Sequence, residues 1–168
     1  MRILIVSDSH GNAKVLQQVY QNTQPDHLIH CGDFCTSLDK IPERSTVVRG
    51  NCDYVKVPED QIWMADRLSI FVTHGHRYQV KTTLLGVRYR AEELGAHIVC
   101  FGHSHYPVCE QSGPVLLLNP GSLVQPRGFY TPTYAILQIK PANQVEVSFY
   151  TPQGKKVMER GGNFSFPP

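Results

Sequence analysis

The chain has 168 residues, of which 16 are basic and 14 acidic, so its formal net charge at pH 7 is +2. This length suits one domain with a substantial core, which we place at residues 1–160, followed by a flexible Gly- and Pro-rich tail at 161–168. Because no run of Lys or Arg exceeds the Lys155-Lys156 pair, the sequence lacks a basic stripe for duplex nucleic acid.

The first elements in the chain predict a β-α-β unit. The run Ile3-Leu4-Ile5-Val6 is typical of a buried strand, and Asn12 is a candidate N-cap for a helix that ends before Pro25. Two further short strands, 28–29 and 46–48, each run into a turn that contains glycine. This order is typical of a doubly wound α/β fold.

The rest of the chain predicts a hairpin, a helix and then strands alone. The hairpin joins 61–65 to 68–73, and a helix over 81–94 leads into a strand that ends before Gly102. Later strands follow one another without helices, which predicts a β-meander over 108–111, 115–118, 133–139 and 144–150. We therefore expect two stacked sheets flanked by helices.

Five of the predicted strands end in metal-binding residue types. Ligands of α/β sheets collect beyond the carboxyl ends of the strands, so these side chains should share one rim. Carboxylate and imidazole ligands without an obligatory thiolate suit Mn, Fe, Zn, Co or Ni, and there are enough of them for two ions. The five strand ends are Asp8-Ser9-His10, Gly32-Asp33, Gly50-Asn51, His74-Gly75-His76 and His103-Ser104-His105.

These residues, in this order, resemble the motifs of the calcineurin-like metallophosphoesterases. Gly50-Asn51-Cys52-Asp53, Thr73-His74-Gly75-His76 and Asn119-Pro120-Gly121-Ser122 are similar to the small YfcE-like phosphodiesterases and to their relative, the retromer scaffold subunit. The resemblance runs from about Met1 to Tyr150. It implies the metallo-dependent phosphatase fold, a four-layer αββα sandwich of two mixed β-sheets flanked by helices.

The resemblance also implies a dinuclear centre of divalent transition-metal ions, with Mn²⁺ expected and Ni, Co, Fe or Zn compatible. In the family pattern two ligand sets share Asp33 as a bridge, namely Asp8, His10 and His105 for one ion and Asn51, His74 and His103 for the other. Two divalent ions on two carboxylates and a bridging hydroxide leave the centre positively charged, so it favours an anion.

The implied reaction is phosphodiester hydrolysis, in which the bridging hydroxide attacks phosphorus directly and in line with the leaving group. The expected substrate is a small-molecule or short-nucleotide phosphodiester. The alternative is a non-catalytic scaffold that binds partner proteins, as the retromer subunit does. Pairing of two copies into a homo-oligomer is left open by the sequence.

The sequence departs from the wider superfamily at Cys52. Much of the superfamily has a histidine there, next to the Asn51 ligand, that helps to protonate the leaving group, and a neutral thiol is a poor general acid. His76 is a candidate substitute, either as proton donor or as phosphate contact; the alternative is a histidine that only supports the site. The candidate catalytic residues are therefore Asp33, Asn51, His76 and Cys52.

Two features predict a cytoplasmic protein without a membrane partner. Only four consecutive apolar residues precede Ser7, too few for a signal-peptide core or a membrane span. The five cysteines have no disulfide-scaffold spacing and are typical of reduced thiols.

Overall fold

In residues 1–167, which the computed structural model describes, eleven strands form two mixed sheets and two α-helices cover them. Short 3-10 turns lie at Leu38–Lys40 and His76–Tyr78. The elements in chain order are β1 (Arg2–Val6), α1 (Ala13–Thr23), β2 (His27–His30), β3 (Ser45–Val47), β4 (Asp60–Ala65), β5 (Leu68–Thr73), α2 (Leu85–Glu93), β6 (Ile98–Cys100), β7 (Val108–Ser112), β8 (Val115–Asn119), β9 (Tyr134–Lys140), β10 (Gln144–Tyr150) and β11 (Lys156–Ser165).

Each sheet contains three adjacent parallel strands, at one side of the first sheet and at the centre of the second. The first sheet has the order β11-β10-β9-β1-β2-β3, in which β1, β2 and β3 are parallel and β9 runs antiparallel to β1. The second has the order β4-β5-β6-β8-β7, in which β5, β6 and β8 are parallel. Three carboxyl strand ends per sheet are thus available to build a site.

The core consists of three apolar layers, which confirms the predicted αββα sandwich. Successive side chains of β1 point to opposite faces of the sheet. Ile3 and Ile5 therefore pack between the two sheets, while Leu4 and Val6 pack against α1. Burying each such side chain stabilises the fold by roughly 1.5–3 kcal/mol. The α1 helix contributes Leu16 and Val19 to its layer, and α2 contributes Val87 and Ala91 to the third layer.

Two predicted elements differ from the structure. The helix begins at Leu85 rather than Lys81, because the Thr83 hydroxyl oxygen accepts the Leu85 amide N–H and favours a turn before the helix. The predicted meander is two hairpins in different sheets, since β7 pairs with β8 in one sheet and β9 with β10 in the other. The connection between β8 and β9 carries the chain from one sheet to the other.

The structure also differs from the prediction of a flexible tail beginning at Gly161. Residues 161–165 belong to β11, which pairs antiparallel with β10 and covers its otherwise open edge. Gly161 and Gly162 lie at positive φ, beside a register shift at Ser148, so the glycines that indicated disorder instead permit a bulge. Phe166 is buried in the layer between the sheets. Residue 168 lies outside the described part of the chain.

No helix within residues 1–167 combines the length and the apolar character that a membrane span needs.

Candidate metal centre

Loops from both sheets meet at one rim. Within the first sheet, the Asp8 and His10 amides donate hydrogen bonds to the carbonyl oxygens of Gly32 and Asp33, each at 3.0 Å. The two sheets are joined where the His103 amide donates to Asp8 Oδ2 at 3.1 Å. The loops that follow β1, β2 and β6 are therefore held in register by backbone groups, before any ligand binds.

Five of the predicted ligands have left-handed backbone conformations. The φ angles are 52° at Asp8, 42° at His10, 53° at Asp33, 66° at His103 and 58° at His105. Such angles are uncommon for residues other than glycine and persist where surrounding contacts enforce them. This clustering of strained backbone at one rim is typical of a functional site.

Two glycines make room for the predicted carboxylate ligands. A Cβ atom built on Gly50 would lie 2.0 Å from Asp33 Oδ1, and one built on Gly102 would lie 2.7 Å from Asp8 Oδ2 and 1.9 Å from Ser7 Oγ. Both distances to carboxylate oxygen are shorter than real Cβ atoms show. The backbone of each glycine therefore packs directly against a carboxylate, a contact that no other residue type permits.

The first group of donor atoms consists of Asp8, His10 and His105, as predicted for one ion. His105 Nε2 lies 3.1 Å from Asp8 Oδ1 and 3.2 Å from His10 Nε2. His105 Nδ1 lies 2.6 Å from the carbonyl oxygen of Gln125, to which it donates, so Nε2 presents its lone pair to Asp8. Asp8 Oδ1 is buried and accepts no hydrogen bond within the described residues.

The second group forms around His74. Its Nδ1 lies 2.7 Å from the carbonyl oxygen of Cys31 and donates to it, so Nε2 is the free acceptor. That nitrogen lies 3.1 Å from Asn51 Oδ1 and 3.3 Å from Asp33 Oδ2. The lone pairs of His74 Nε2, Asn51 Oδ1 and Asp33 Oδ2 thus point at one another. These atoms repel one another unless a proton or a cation lies between them.

Asp33 lies between the two groups. Its carboxylate belongs to one compact set with Asp8 and His74 and to another with His10 and Cys52, with donor atoms within 4.8 Å of one another in each set. Its second oxygen, Oδ1, accepts the Cys52 amide N–H at 2.8 Å. This position suits a carboxylate that is shared by two ions.

His103 and His76 lie further out on the same side. The His103 ring centroid is 5.1 Å from that of His74, and the His76 ring is 5.4 Å from His74 and 6.0 Å from His103. Neither joins a compact group of donor atoms, and the buried Nδ1 of His76 has no hydrogen-bond partner among the described residues. Burial and the neighbouring His74 lower the pKa of His76, and the same two causes, with Lys81, lower the pKa of His103 to about 4.

Both predicted carboxylate ligands are ionised at neutral pH. Burial acts to raise the pKa of Asp8, but the close contact with His105, the charge of His74 and the Ser7 hydroxyl hold it below its usual value. Burial likewise opposes the effect of His74 and Cys52 at Asp33, whose pKa is nevertheless lowered. Ionised carboxylates and imidazole lone pairs that converge without enough donors match the requirements of divalent transition-metal ions.

Sequence reasoning missed Ser7, which holds the site in place together with Ser122 of the Asn119-Pro120-Gly121-Ser122 motif. Ser7 Oγ donates to Asp8 Oδ2 at 2.6 Å, and Ser122 Oγ donates to the Asp8 carbonyl at 2.8 Å. Asp53 accepts the amide N–H groups of Asp33, Cys35 and Gly50, so it links its own turn to the loop after β2. The acceptor role of Asp53 toward Gly50 could be predicted from the motif, whereas its links to the loop after β2 depend on the fold.

The buried His30 side chain packs behind the candidate metal centre, and its burial should make the stability of the fold depend on pH. It is fully buried between Ser9 Oγ at Nε2 and the Gly32 amide at Nδ1, and burial lowers its pKa to about 4 from 6.5. Because the unfolded chain takes up the proton first, stability falls as pH drops from about 6.5 toward 4, by an amount on the order of 3 kcal/mol. Denaturant unfolding of the metal-free protein at several pH values should show a shallower slope for His30→Gln, and equal slopes would refute this role.

Comparisons with known proteins agree with the fold and show the family. A model of the "Calcineurin-like phosphoesterase superfamily domain" matches residues 1–142. The chain is 42% identical over 161 residues to the "Probable metallophosphoesterase YsnB" of Bacillus subtilis, covering 94% of this chain and 95% of YsnB. It is 24% identical over 168 residues to the "Phosphodiesterase YfcE" of Escherichia coli K12, covering 82% of this chain and 87% of YfcE.

A solved structure of a predicted phosphoesterase has the same fold. A conserved protein of Streptococcus pneumoniae, described as a predicted phosphoesterase, superposes with a TM-score of 0.89 at 32% identity, covering 98% of this chain and 97% of that one. The chain therefore belongs to the calcineurin-like phosphoesterase superfamily, and its relatives include YfcE, as the motifs predicted. A metal-dependent hydrolase is the class of protein that this fold and donor set define.

Proposed function

We propose that the chain is a phosphodiesterase that uses two divalent transition-metal ions and attacks phosphorus directly with hydroxide derived from water. The observation that carries this proposal is the position of Asp33, close to Asp8 and His74 in one set of donor atoms and to His10 in another, beside the set of Asp8, His10 and His105. His74 and His105 are each fixed by a backbone carbonyl. When bound, the two ions would supply hydroxide at neutral pH and stabilise negative charge on the phosphoryl oxygens.

The residues of the chain would hold and orient the ions. Asp8, His10 and His105 would bind the first ion, and Asn51 and His74 the second, with Asp33 shared. His103 would complete the second set by a small adjustment of its half-buried ring. The low pKa of His103 favours neutral imidazole, the form that binds metal. The backbone hydrogen bonds of His74 and His105 leave Nε2 of each ring facing the donor groups. Burial acts to lower the pKa of His74, but Asp33 and Asp8 raise it, so metal binding at His74 releases a proton. The positive centre would bind a small-molecule or short-nucleotide phosphodiester.

Hydrolysis of bis(p-nitrophenyl) phosphate tests the proposal. The protein is stripped of metal and re-supplied separately with Mn²⁺, Ni²⁺, Co²⁺, Fe²⁺ or Zn²⁺. We expect no turnover without metal and the fastest turnover with Mn²⁺. If metal binds and no phosphodiester is hydrolysed, the proposal fails and the protein-binding scaffold that the family resemblance also implied becomes the better interpretation.

Isotope labelling tests the direct attack. In water enriched in oxygen-18, a single turnover should place the label on the phosphoryl product, because hydroxide forms the new bond to phosphorus. Label in the released alcohol would exclude attack at phosphorus. Release of p-nitrophenol faster than phosphoryl product in a burst would indicate a phosphoenzyme instead.

Cys52→His should broaden the range of leaving groups. The Cys52 thiol is half-buried beside Asp33, and burial followed by the charge of Asp33 raises its pKa, so the thiol is neutral and donates a proton poorly. We expect the substitution to raise turnover of diphenyl phosphate, whose leaving group is poor, by about tenfold, with a smaller effect on bis(p-nitrophenyl) phosphate. An unchanged ratio of the two rates at equal metal content would argue against this role.

A further inference from the structure

An apolar cleft of about 330 Å³ opens directly beside the candidate metal centre. Cys35 and Cys52 line it, together with residues that flank them, Thr36, Ser37, Asp53, Tyr54 and Val55. Cys35 Sγ lies 3.7 Å from His10 Nδ1 and 3.8 Å from the Cys52 carbonyl oxygen, and the Cys52 amide donates to Asp33. The cleft and the centre therefore share a wall.

The lining of this cleft offers no free charge. Its only ionisable carboxyl group, Asp53, is buried and uses both oxygens to accept the amide N–H groups of Asp33, Cys35 and Gly50. What remains for a ligand is two thiols, the Val55 side chain, two hydroxyls and an aromatic ring. Such a lining suits an uncharged group rather than a second phosphate or an amine.

The aromatic ring at this cleft is free to stack. Tyr54 is 99% exposed, so no part of the described chain packs against its ring. Tyr106, which follows His105, has the Arg160 guanidinium over its ring at 5.4 Å and Arg160 Nη2 at 2.8 Å from its hydroxyl oxygen, with the Phe129 ring edge-on at 6.1 Å. The Tyr106 ring thus already contacts Arg160 and Phe129, whereas the faces of the Tyr54 ring are open to a ligand.

We propose that this cleft binds the organic group of the phosphodiester as an uncharged planar ring, aryl or nucleobase, stacked on Tyr54. This inference rests on the proposed function, because the metal centre must hold the phosphoryl group. The volume suffices, since a cavity of roughly 150 Å³ can hold a benzene ring. Aryl and nucleoside phosphodiesters are then preferred over alkyl or sugar phosphodiesters of equal leaving-group quality.

A second cleft does not compete for this role. It measures about 710 Å³ and is lined by Gly95, Ala96 and His97 before β6 and by Gly113 and Pro114 before β8. These residues precede the strands whose carboxyl ends carry the centre, so the cleft lies at the opposite end of the sheet. No ring bound there could belong to a small phosphodiester held at the centre.

Binding of two phosphonates to the Mn²⁺-loaded protein tests the inference without turnover. Phenylphosphonate and methylphosphonate present the same head group to the centre and differ only in the group that would enter the cleft. By calorimetry we expect phenylphosphonate to bind about tenfold more tightly than methylphosphonate, as stacking on one aromatic side chain implies. Tyr54→Ala should remove most of that preference and leave methylphosphonate binding unchanged, while Tyr54→Phe should retain it.

Tyr89→Ala is the matched control, because Tyr89 is a 53% exposed tyrosine of α2, away from the cleft. It should change neither affinity. Equal binding of the two phosphonates, or a preference that survives Tyr54→Ala, overturns the cleft assignment and leaves the proposed function standing. If neither phosphonate binds the Mn²⁺-loaded protein, the proposed function and the cleft assignment fail together.

Discussion

Asp33→Asn is expected to lower metal-dependent hydrolysis of bis(p-nitrophenyl) phosphate by about 10³-fold or more, which corresponds to about 4 kcal/mol of transition-state stabilisation. Asp33 lies between the two donor groups, close to Asp8 and His74 on one side and to His10 on the other, with Oδ2 at 3.3 Å from His74 Nε2. An amide of the same size removes the negative charge and turns a donor NH₂ toward one of the ions. Binding of a second ion should weaken together with activity.

The metal-free Asp33→Asn variant should still fold, with a lower stability than the original chain at neutral pH. The substitution keeps the shape of the side chain, but the lowered pKa of Asp33 means that its charge stabilises the folded chain through His74 and the Cys52 amide. Asp39→Asn is the matched control, since the Asp39 side chain is 69% exposed in a turn. Full activity in Asp33→Asn, or an equal loss in Asp39→Asn, would contradict the bridging role.

Gly102→Ala is expected to weaken both the fold and the first metal group. The added Cβ would lie 1.9 Å from Ser7 Oγ and 2.7 Å from Asp8 Oδ2, so both side chains must move. Forcing a methyl group into such a packed position costs about 1–3 kcal/mol of unfolding free energy. A shift of the Asp8 carboxylate by about 1 Å should lower hydrolysis by about 10²-fold.

Two measurements separate these effects. Denaturant unfolding of the metal-free protein reports the packing cost, and Mn²⁺ titration reports the displaced carboxylate. Gly86→Ala is the control, because Gly86 lies in α2 and an added Cβ would approach only Tyr78, at 3.3 Å from its carbonyl oxygen. Unchanged stability and Mn²⁺ affinity in Gly102→Ala would show that the close approach at this glycine does not position Asp8.

The sequence predicted the elements that depend on local patterns. Asn12 caps α1 as expected, with its side chain accepting the Val15 amide, and the hairpin turn lies at Asp66 between β4 and β5. The strand ends also proved informative, because parallel strands of both sheets bring their carboxyl ends to one rim. Periodicity and turn residues therefore predicted two stacked sheets flanked by helices, but they did not predict which sheet each later strand joins.

What the sequence could not predict depends on contacts between distant segments. Cys35 carries no motif, and its place beside His10 follows from the turn after β2. The pairing of β11 depends on the open edge of β10, which no local pattern in 161–165 reveals. Likewise, the side chains of His103 and His76 share a region with His74, but their spacing in the sequence does not fix how near each lies to a metal ion.

A titration of metal-free protein with Mn²⁺, in which bound ions and hydrolysis of bis(p-nitrophenyl) phosphate are followed together, tests the dinuclear phosphodiesterase most directly. The donor groups on either side of Asp33 predict two bound ions per chain, with hydrolysis rising as the second ion binds. Full activity with one ion per chain would contradict a dinuclear centre. Two bound ions without hydrolysis would contradict catalysis itself.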